Sequence, residues 1–535
     1  MVSKKPALSA SPAVEKLAAN LAKLSAIGLR NIFNTDTCRH QNMIIGAAGI
    51  ELNYSHNLVD LETIALFNQL LAERDLGTKV TALFSGERVN NTEDRPALHS
   101  AIRAAILGQE APHGDIIQAG YEKAKNLVAK IYNKEFTAAN DEALIDVVNI
   151  GIGGSYLGPK LASDALADYD QNKVNIHFVA NIDPSEMSDC LAKLDPDTTL
   201  FIISSKSFGT EETLSNAKTA INWLGQARLS QLFAVTSNVA AATKLGIHED
   251  HCLPIWDWVG GRYSVWSNIG LPVMLKIGCD NFEQMLTGAY AMDQHFQSST
   301  DVAQNMPLMM AALEIWHVNF QSYNSLAILP YNYRLKMLPD YLQQLTMESN
   351  GKSVDLNGKP TIHATNPVLW GSVGTEGQHS FHQLLHQGSD TIPCDFILPI
   401  RSLADNDQAQ LKLVANCLAQ RRALLSGKSL TEVASELLSK NIDSKTVSDL
   451  APHKTMTGNR PSNLITLDKI TPQTFGATLA LYEHKTFACS VLWNINPFDQ
   501  WGVELGKKIG EGFYEQLQRD QTDLVRAIKN IDNPN

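Results

Sequence analysis

Short apolar runs alternate with helical stretches from about residue 143 onwards, and this alternation constrains the fold more than any other feature of the sequence. Strands that alternate with helices form a parallel sheet, because each helix returns the chain to the same edge of the sheet. We therefore predict an α/β fold built from two parallel sheets. The strand-like runs cover residues 144–152, 175–182, 198–205, 231–237, 325–331, 367–373 and 395–400.

Helical extensions are expected at both ends of the chain. Residues up to about 135 have a mostly helical pattern, and a long helical region precedes residue 325. No low-complexity linker and no exact short repeat divides the chain. We predict a helical N-terminal extension that packs on the body over 1–135, a first α/β domain over 136–285, a second over 286–510, and a C-terminal helical tail over 511–535.

The composition argues against several classes of protein. The chain has 535 residues, a formal net charge of −12 and no Lys/Arg cluster, which argues against a nucleic-acid partner. No apolar run approaches membrane-spanning length, and seven cysteines without a Cys-x-x-Cys pair indicate reduced thiols. The N-terminal stretch carries no signal-peptide core. We expect a soluble, cytoplasmic protein without membrane contact.

A glycine-rich turn follows the first strand-like run, in "VVNIGIGGSYLGPKLASDAL" at 147–166. Tyr156 stands where a dinucleotide fingerprint needs its third glycine, and the turn lacks the Gly-Lys-Ser/Thr ending of a Walker loop. What remains is Gly154 and Ser155 with free amides at a helix N-terminus, which can hold one anion such as phosphate. An ordinary βα turn that binds nothing is the alternative.

A second loop of this kind follows the run at 198–205. Hydroxyls, one ammonium group and the amides of the next helix meet at the carboxyl edge of the sheet, where open α/β sheets bind ligands. This set suits a phosphate monoester, although an ordinary capped helix also uses Ser and Thr. Together the two loops favour phosphate binding. The candidate ligands of the second loop are Ser205, Lys206, Ser207 and Thr210.

Further segments carry side chains suited to proton transfer and charge stabilisation. Gln344 and Glu348 stand four apart on a helix predicted from residue 340, so the glutamate is either a general base or a surface residue. Arg262 follows two glycines among aromatic residues, and if buried it needs an anionic partner, which could be a developing oxyanion. Gln500 and Lys507 share a face if their segment is helical.

His382 and His386 have the i,i+4 spacing of a helical metal site. Gln383 stands where a zincin has its glutamate, and no third ligand with a short spacing follows. One of the two histidines is better suited to acid-base catalysis, and a hydrogen-bonded structural histidine is the alternative. We predict no metal and no cofactor.

These segments together resemble the glucose-6-phosphate isomerase family. "GGRYS" at 260–264 and "FDQWGVELGK" at 498–507 are similar to its two signature stretches, and "GIGGSYLGP", "LQQLTMESNGK" and "GTEGQHSFHQLLHQG" are similar to further blocks in the same order. The resemblance implies two sugar-isomerase domains and a homodimer whose sites are completed across subunits. It also implies interconversion of glucose 6-phosphate and fructose 6-phosphate, a step of glycolysis and gluconeogenesis.

The resemblance assigns roles position by position. Glu348 is similar to the base that moves a proton between C1 and C2 through a cis-enediol, and Arg262 to the arginine beside the enediolate. His386 is similar to the ring-opening residue, with Lys507 assisting and Glu212 as a partner of the histidine. The positions similar to the phosphate cradle and the sugar-lining residues are Gly154, Ser155, Ser205, Lys206, Ser207, Thr210, Gln344 and Gln500.

A few positions depart from the family's pattern. Ser207 and Gly209 stand where the cradle commonly has threonines, and Tyr156 stands where many members have aspartate. Gly209 removes a hydroxyl and loosens the loop. Two alternatives are a phosphosugar-sensing protein that binds without reacting, and a metal-dependent isomerase that uses His382 and His386. The presence of the whole catalytic set favours the enzyme over the sensor, and a chelator would inactivate a metal-dependent isomerase.

Overall fold

Two β-sheets form the centres of the molecule. The computed structural model describes Leu8, residues 11–519, Leu524 and Ile528. The strands are β1 (Ile44–Ala47), β2 (Ile50–His56), β3 (Asp146–Ile150), β4 (Asn175–Val179), β5 (Thr199–Ser204), β6 (Leu232–Thr236), β7 (Cys252–Pro254), β8 (Ser325–Pro330), β9 (Val368–Gly371), β10 (Cys394–Pro399) and β11 (Ser462–Leu467).

Helices pack on both sheets and fill the space between them. A 3₁₀ helix covers 261–266, and π-helical stretches at 316–320 and 344–348 extend two of the α-helices. The α-helices are α1 (Pro12–Ile27), α2 (Leu29–Thr35), α3 (Arg39–Asn42), α4 (Leu61–Glu73), α5 (Leu76–Ser85), α6 (His99–Ile106), α7 (Gly114–Tyr132), α8 (Gly154–Ala165), α9 (Pro184–Leu191), α10 (Glu211–Leu224), α11 (Val239–Lys244), α12 (Leu271–Ile277), α13 (Cys279–Ser298), α14 (Met306–Ile315), α15 (Leu338–Gln343), α16 (Gly374–Gln378), α17 (His382–Gln387), α18 (Asp407–Ser426), α19 (Leu430–Ser439), α20 (Ser444–Lys454), α21 (Pro472–Trp493) and α22 (Glu504–Arg519).

The first sheet is parallel throughout, in the order β4-β3-β5-β6-β7. Its central strand β5 is buried at every position, because helices cover both faces. The next strand after β3 in the chain, β4, pairs on one side of β3, and the following strand, β5, pairs on the other side. In doubly wound sheets ligands bind at such a switch point, beyond the carboxyl ends of the two strands. Here the switch point lies between β3 and β5.

The second sheet has the order β1-β2-β11-β10-β8-β9. Its strands β8 to β11 are parallel and repeat the arrangement of the first sheet, with β9 and β10 on opposite sides of β8. The hairpin of β1 and β2 joins β11 in antiparallel pairing. The predicted α/β class with two parallel sheets is confirmed, but the N-terminal region adds a hairpin that its mostly helical pattern did not indicate.

The strand-like runs coincide with β3 to β6 and β8 to β10, whereas β1, β2, β7 and β11 were not predicted. The domain boundaries stay a prediction. Of the tail predicted over 511–535, α22 covers the part up to Arg519, and the rest lies outside the described residues except for Leu524 and Ile528. None of the helices in the described part of the chain combines the length and hydropathy needed to cross a bilayer.

Candidate active site

The glycine-rich turn after β3 lies at the switch point of the first sheet. Gly153 has a φ of +59°, a backbone conformation that residues other than glycine disfavour, and α8 begins at the next residue. A Cβ atom on Gly154 would lie 1.9 Å from the carbonyl oxygen of Gly261. Glycine therefore lets the start of α8 approach the 3₁₀ helix at 261–266, which carries Arg262.

Hydrogen bonds fix the backbone of both loops at this edge. Asn149 Nδ2 donates to the carbonyl oxygen of Ser155 at 3.1 Å, and Asn149 Oδ1 accepts from Ser204 Oγ at 2.8 Å. The Lys206 carbonyl oxygen accepts from the backbone N–H of Ser237 at 2.9 Å and from its Oγ at 2.7 Å. The turn after β3 and the loop after β5 are thus held side by side.

Polar groups in the second loop are left for a ligand. Ser205 Oγ is buried and has no hydrogen-bond partner among the described residues. Thr210 is the N-cap residue of α10, yet its side chain makes no capping hydrogen bond. The simple capped-helix alternative therefore fails at Thr210, and the amides of the first turn of α10 stay available. A buried hydroxyl without a partner indicates a ligand or a water molecule.

Lys206 connects the second loop to the segment that carries Arg262. Its Nζ donates to the carbonyl oxygens of Val259 at 3.1 Å and Asp257 at 3.4 Å. Burial lowers the pKa of the Lys206 ammonium below its ordinary value, and the charge of Asp257 partly opposes this shift. A phosphate group bound beside it would stabilise the charged form.

Arg262 is buried and lies at the centre of a second group of polar side chains. Its Nη1 lies 3.2 Å from Glu348 Oε2 and donates to Gln500 Oε1 at 3.1 Å. Its Nη2 donates to the carbonyl oxygen of Pro497 at 2.5 Å. The anionic partner expected for a buried arginine is therefore Glu348. Because 23% of the Glu348 side chain stays exposed, a substrate can reach it.

The helix that carries Gln344 and Glu348 begins as α15 at Leu338 and becomes π-helical from Gln344 to Glu348. Such widened turns occur frequently at functional sites. Gln344 Oε1 is buried and has no hydrogen-bond partner in the described structure. A Cβ atom on Gly153 would lie 3.0 Å from Gln344 Nε2, so this side chain reaches the glycine-rich turn. One helix therefore contacts both groups of candidates.

His386 and His382 share α17, as their spacing predicts. Both rings face Gln420, whose Oε1 lies 2.9 Å from His386 Nε2 and 3.3 Å from His382 Nδ1. No group of three His, Cys, Asp or Glu side chains suited to a metal occurs among the described residues. Within the described part of one chain, His386 contacts neither Arg262 nor Glu212, which is half-buried in the first turn of α10. The roles of His386 and Glu212 stay predictions.

Gln500 and Lys507 do not lie on one continuous α-helix, so the expected shared face needs correction. Gln500 precedes a 3₁₀ turn at 501–503, and α22 begins only at Glu504. Gln500 contacts Arg262, whereas Lys507 is exposed on α22 and its side chain has no hydrogen bond or ion pair within the described residues. The assisting role of Lys507 stays a prediction.

Ser349 belongs to the same polar group, although the sequence pattern did not indicate it. Its Oγ accepts from Arg262 Nε at 2.6 Å and lies 3.1 Å from the hydroxyl oxygen of Tyr263. The available signal was its position directly after Glu348. That position alone does not show which way the hydroxyl points.

Residues 53–526 match the family model of phosphoglucose isomerase. The chain belongs to the phosphoglucose isomerase family. A glucose-6-phosphate isomerase of Pseudomonas fluorescens is 47% identical over 520 residues, which cover 95% of this chain and 94% of that protein. The glucose-6-phosphate isomerase of Shewanella halifaxensis is 45% identical over 517 residues, with coverage of 94% and 95%. The crystal structure of a glucose-6-phosphate isomerase from Chlamydia trachomatis matches with a TM-score of 0.82 at 30% identity, covering 98% of each chain.

Membership of the phosphoglucose isomerase family confirms the resemblance inferred from the sequence motifs. Within one chain of this family member, the turn after β3 packs against Gly261, and Lys206 of the loop after β5 donates to the carbonyl oxygens of Asp257 and Val259, a few residues before Arg262. Gln344 reaches the turn after β3, and Gln500 accepts a hydrogen bond from Arg262. The structure thus brings together the candidates for anion binding, proton transfer and charge stabilisation.

Proposed function

We propose that the protein interconverts glucose 6-phosphate and fructose 6-phosphate. The observation that carries this proposal is the contact between Arg262 and Glu348 on elements that reach the switch point of a parallel sheet, where Ser205 Oγ and Gln344 Oε1 have no hydrogen-bond partner among the described residues. An aldose-ketose isomerisation needs a base that reaches two adjacent carbons and a cation for the developing negative charge. The activity named for the relatives supports the same reaction.

The two loops after β3 and β5 would hold the phosphate group. Hydroxyls, helix amides and one ammonium suit the several acceptor oxygens of a phosphate monoester. Binding energy from this remote group orients the reacting carbons toward the base. The proposed phosphate ligands are Gly154, Ser155, Ser205, Lys206, Ser207 and Thr210.

Glu348 would carry the proton between the two carbons. Its carboxylate removes the C2 proton of the open-chain aldose, and the electron pair forms the C1–C2 double bond of a cis-enediolate. Arg262 stabilises the negative charge that moves onto oxygen. Glu348 then returns its proton to C1 on the same face, while the hydroxyl proton passes from O2 to O1. The product is the ketose, with no net gain or loss of protons or electrons.

We further propose that His386 acts in the site of a second copy of the chain. Ring opening moves a proton from the O1 hydroxyl to the ring oxygen, which suits an imidazole. In the described part of one chain His386 contacts Gln420 and not the pair of Arg262 and Glu348. A homodimer with shared sites would allow His386 to open the ring in the partner's site although it contacts Gln420 in its own chain. Lys507 on the exposed α22 would assist this step.

The cytoplasm is the compartment that we propose for this enzyme. All seven cysteines are free thiols in the structure, and a reducing compartment keeps thiols in that state. The fold and site need no disulfide, so this compartment is compatible with folding.

The experiment that tests the function measures conversion of fructose 6-phosphate to glucose 6-phosphate in excess EDTA. We expect turnover by the natural protein and a loss of about 10²- to 10⁴-fold in kcat for Glu348→Gln, because the general base is removed. Sorbitol 6-phosphate has no carbonyl group, and its binding to the variant should be retained. The exposed Glu62, which pairs with Lys23 on the surface, provides the control variant Glu62→Gln.

One result would contradict the proposed reaction, and a second would contradict proton transfer by Glu348 without a metal. Binding of sorbitol 6-phosphate by the natural protein without any turnover would indicate a phosphosugar sensor. Turnover that appears only after a divalent metal is added back would indicate a metal-dependent isomerase.

A further inference from the structure

Lys352 lies four residues after Glu348, just beyond the helix that carries the candidate base. Its Nζ donates to the carbonyl oxygens of Glu348 at 3.1 Å and Ser349 at 2.8 Å. Carbonyls in the last turn of a helix have no partner within the helix. A lysine at this end stabilises them by hydrogen bonds and by its charge at the negative end of the helix dipole.

The same ammonium group reaches the loop at 496–499, which precedes Gln500. It lies 3.0 Å from the carbonyl oxygens of both Asn496 and Asp499 and 3.1 Å from Asp499 Oδ1, so its three N–H groups are shared among these oxygens and the two at the helix end. The side chains of Lys352 and Asp499 are only 18% and 5% exposed. This ion pair is therefore less screened by water and salt than a pair on the surface. Lys352 thus joins the end of the base-bearing helix to a loop distant in sequence.

The loop at 496–499 also holds Arg262. Arg262 Nη2 donates to the carbonyl oxygens of Pro497 at 2.5 Å and Asp499 at 3.2 Å. The Asp499 carbonyl oxygen therefore accepts from both Arg262 and Lys352. One loop consequently sets the position of the arginine directly and the position of the base through Lys352.

We propose that Lys352 is a positioning residue for the isomerisation. Its ammonium holds the helix end that bears Glu348 against the loop at 496–499 and so fixes Glu348 relative to Arg262. The inference rests on the function proposed above for these two residues. A displacement of about 1 Å at a catalytic group costs about 10²-fold in rate. Within the described structure Lys352 makes no hydrogen bond to the phosphate loops, so phosphate binding should not depend on it.

The test compares Lys352→Met with a matched lysine. Lys276 on α12 is 19% exposed and forms one ion pair with Asp170 at 2.8 Å, so Lys276→Met removes a similarly sheltered ammonium away from the site. We expect kcat to fall about 10- to 100-fold in Lys352→Met only, because the base loses its position. The KM for fructose 6-phosphate and the Kd for sorbitol 6-phosphate should stay within about twofold of the natural protein's values. Both variants should lower Tm.

Lys352→Gln is the conservative variant, because its amide donates two hydrogen bonds but carries no charge. It should recover part of the kcat lost in Lys352→Met. If the methionine variant shows no cooperative thermal transition, the glutamine variant is judged by the same kcat and Kd criteria.

Two outcomes would overturn the inference about Lys352. One is a kcat of the Lys352 variants equal to that of Lys276→Met. The other is a loss of affinity for sorbitol 6-phosphate that parallels the loss of kcat. Absence of turnover in the natural protein would instead refute the proposed function, so the two failures are distinguishable.

Discussion

Lys206 supplies the ammonium of the proposed phosphate cradle, and its burial sets the response of binding to pH. Since burial lowers the pKa of Lys206, its proton is lost at a lower pH than from an exposed lysine. We expect the Kd for sorbitol 6-phosphate to rise with pH on the alkaline side of neutrality, as Lys206 becomes neutral. Lys206→Arg keeps its charge over this range, so its Kd should stay nearly constant. Calorimetric titrations at several pH values measure the Kd of both proteins. An equal rise of Kd with pH in the two proteins would contradict the assignment of Lys206 to the phosphate cradle.

Gly209 stands where the family's cradle commonly has threonine, and the structure has room for a side chain. A Cβ atom there would meet only Ser207 Oγ, at 3.7 Å, and the backbone is not left-handed. Gly209→Thr should lower KM for fructose 6-phosphate about 2- to 10-fold with kcat unchanged, because the loop stiffens and gains a hydroxyl. Gly209→Ala stiffens the loop alone and should give about a twofold decrease. Initial rates measure the KM of both variants, and a higher KM in the threonine variant would refute the prediction.

At the scale of elements, the approach of α8 to the 3₁₀ helix at 261–266 joins the turn after β3, a proposed phosphate ligand, to the segment that carries Arg262. In Gly154→Ala the new Cβ atom would lie 1.9 Å from the Gly261 carbonyl oxygen, so the two elements must separate. We expect the free energy of unfolding to fall by about 1–3 kcal/mol. We also expect kcat/KM to fall about 10²-fold, because the phosphate loops and Arg262 lose their alignment.

Gly261→Ala is the control for this contact, since a Cβ atom on Gly261 meets nothing within 4 Å. Its free energy of unfolding should stay within about 0.5 kcal/mol of the natural protein's. Urea unfolding and initial rates measure both variants. If the two alanine variants were equally stable, the close approach of α8 would not be the reason for glycine at 154.

The elements that could be predicted from the sequence are those whose pattern is local. The strand β5 is an apolar run buried at all its positions, and its neighbours β3 and β6 read in the same way. The strand β2 contains Glu51, Asn53 and Ser55, and its place is set by pairing with β11 from the other end of the chain. β7 is only three residues long. Such pairings leave little local signal.

In the candidate site, too, the residue types could be predicted from the sequence, whereas the contacts between them could not. Arg262 and Glu348 could be named from their chemistry and spacing, but their contact depends on a π-helical turn and on the loop at 496–499. The contacts of Lys352 are mostly with backbone carbonyls, which exist in every sequence. Neither the widened turn nor the backbone partners could be inferred from side-chain patterns alone.

At the scale of the whole molecule, the two sheets share one connectivity but supply different parts of the site. The first sheet supplies the two loops after β3 and β5 that we propose hold the phosphate, and the chain leaving β8 of the second sheet continues into α15 and Glu348. The shared strand order is a repeat of topology, so the absence of an exact repeat in the sequence does not conflict with it. The reaction therefore needs both sheets in fixed relation, which Arg262 and Lys352 provide through the loop at 496–499.

The proposed sharing of sites between two copies predicts that two inactive variants restore activity when mixed. In a mixed dimer of Glu348→Gln and His386→Ala, one site carries both lesions and the other carries neither. Random pairing makes half of the dimers mixed, so joint refolding of equal amounts should recover about a quarter of the natural activity. Each variant refolded alone should remain inactive. The measurement is turnover of fructose 6-phosphate after a pull-down with two different tags has confirmed mixed dimers.

The matched control for mixing pairs Glu348→Gln with Lys206→Met. Both of these side chains belong to the group assembled within one chain. The Lys206 ammonium contacts the carbonyl oxygen of Val259, three residues before Arg262, and Glu348 contacts Arg262 itself. Each site of their mixed dimer therefore carries one lesion, and no activity should return. If activity recovered as strongly with Lys206→Met as with His386→Ala, the experiment would not distinguish a residue of Glu348's own chain from one of the second copy. That result would contradict the proposed sharing of sites. Failure of both mixtures to recover, with mixed dimers present, would place His386 in the site of its own chain and would require α17 to move toward Glu348.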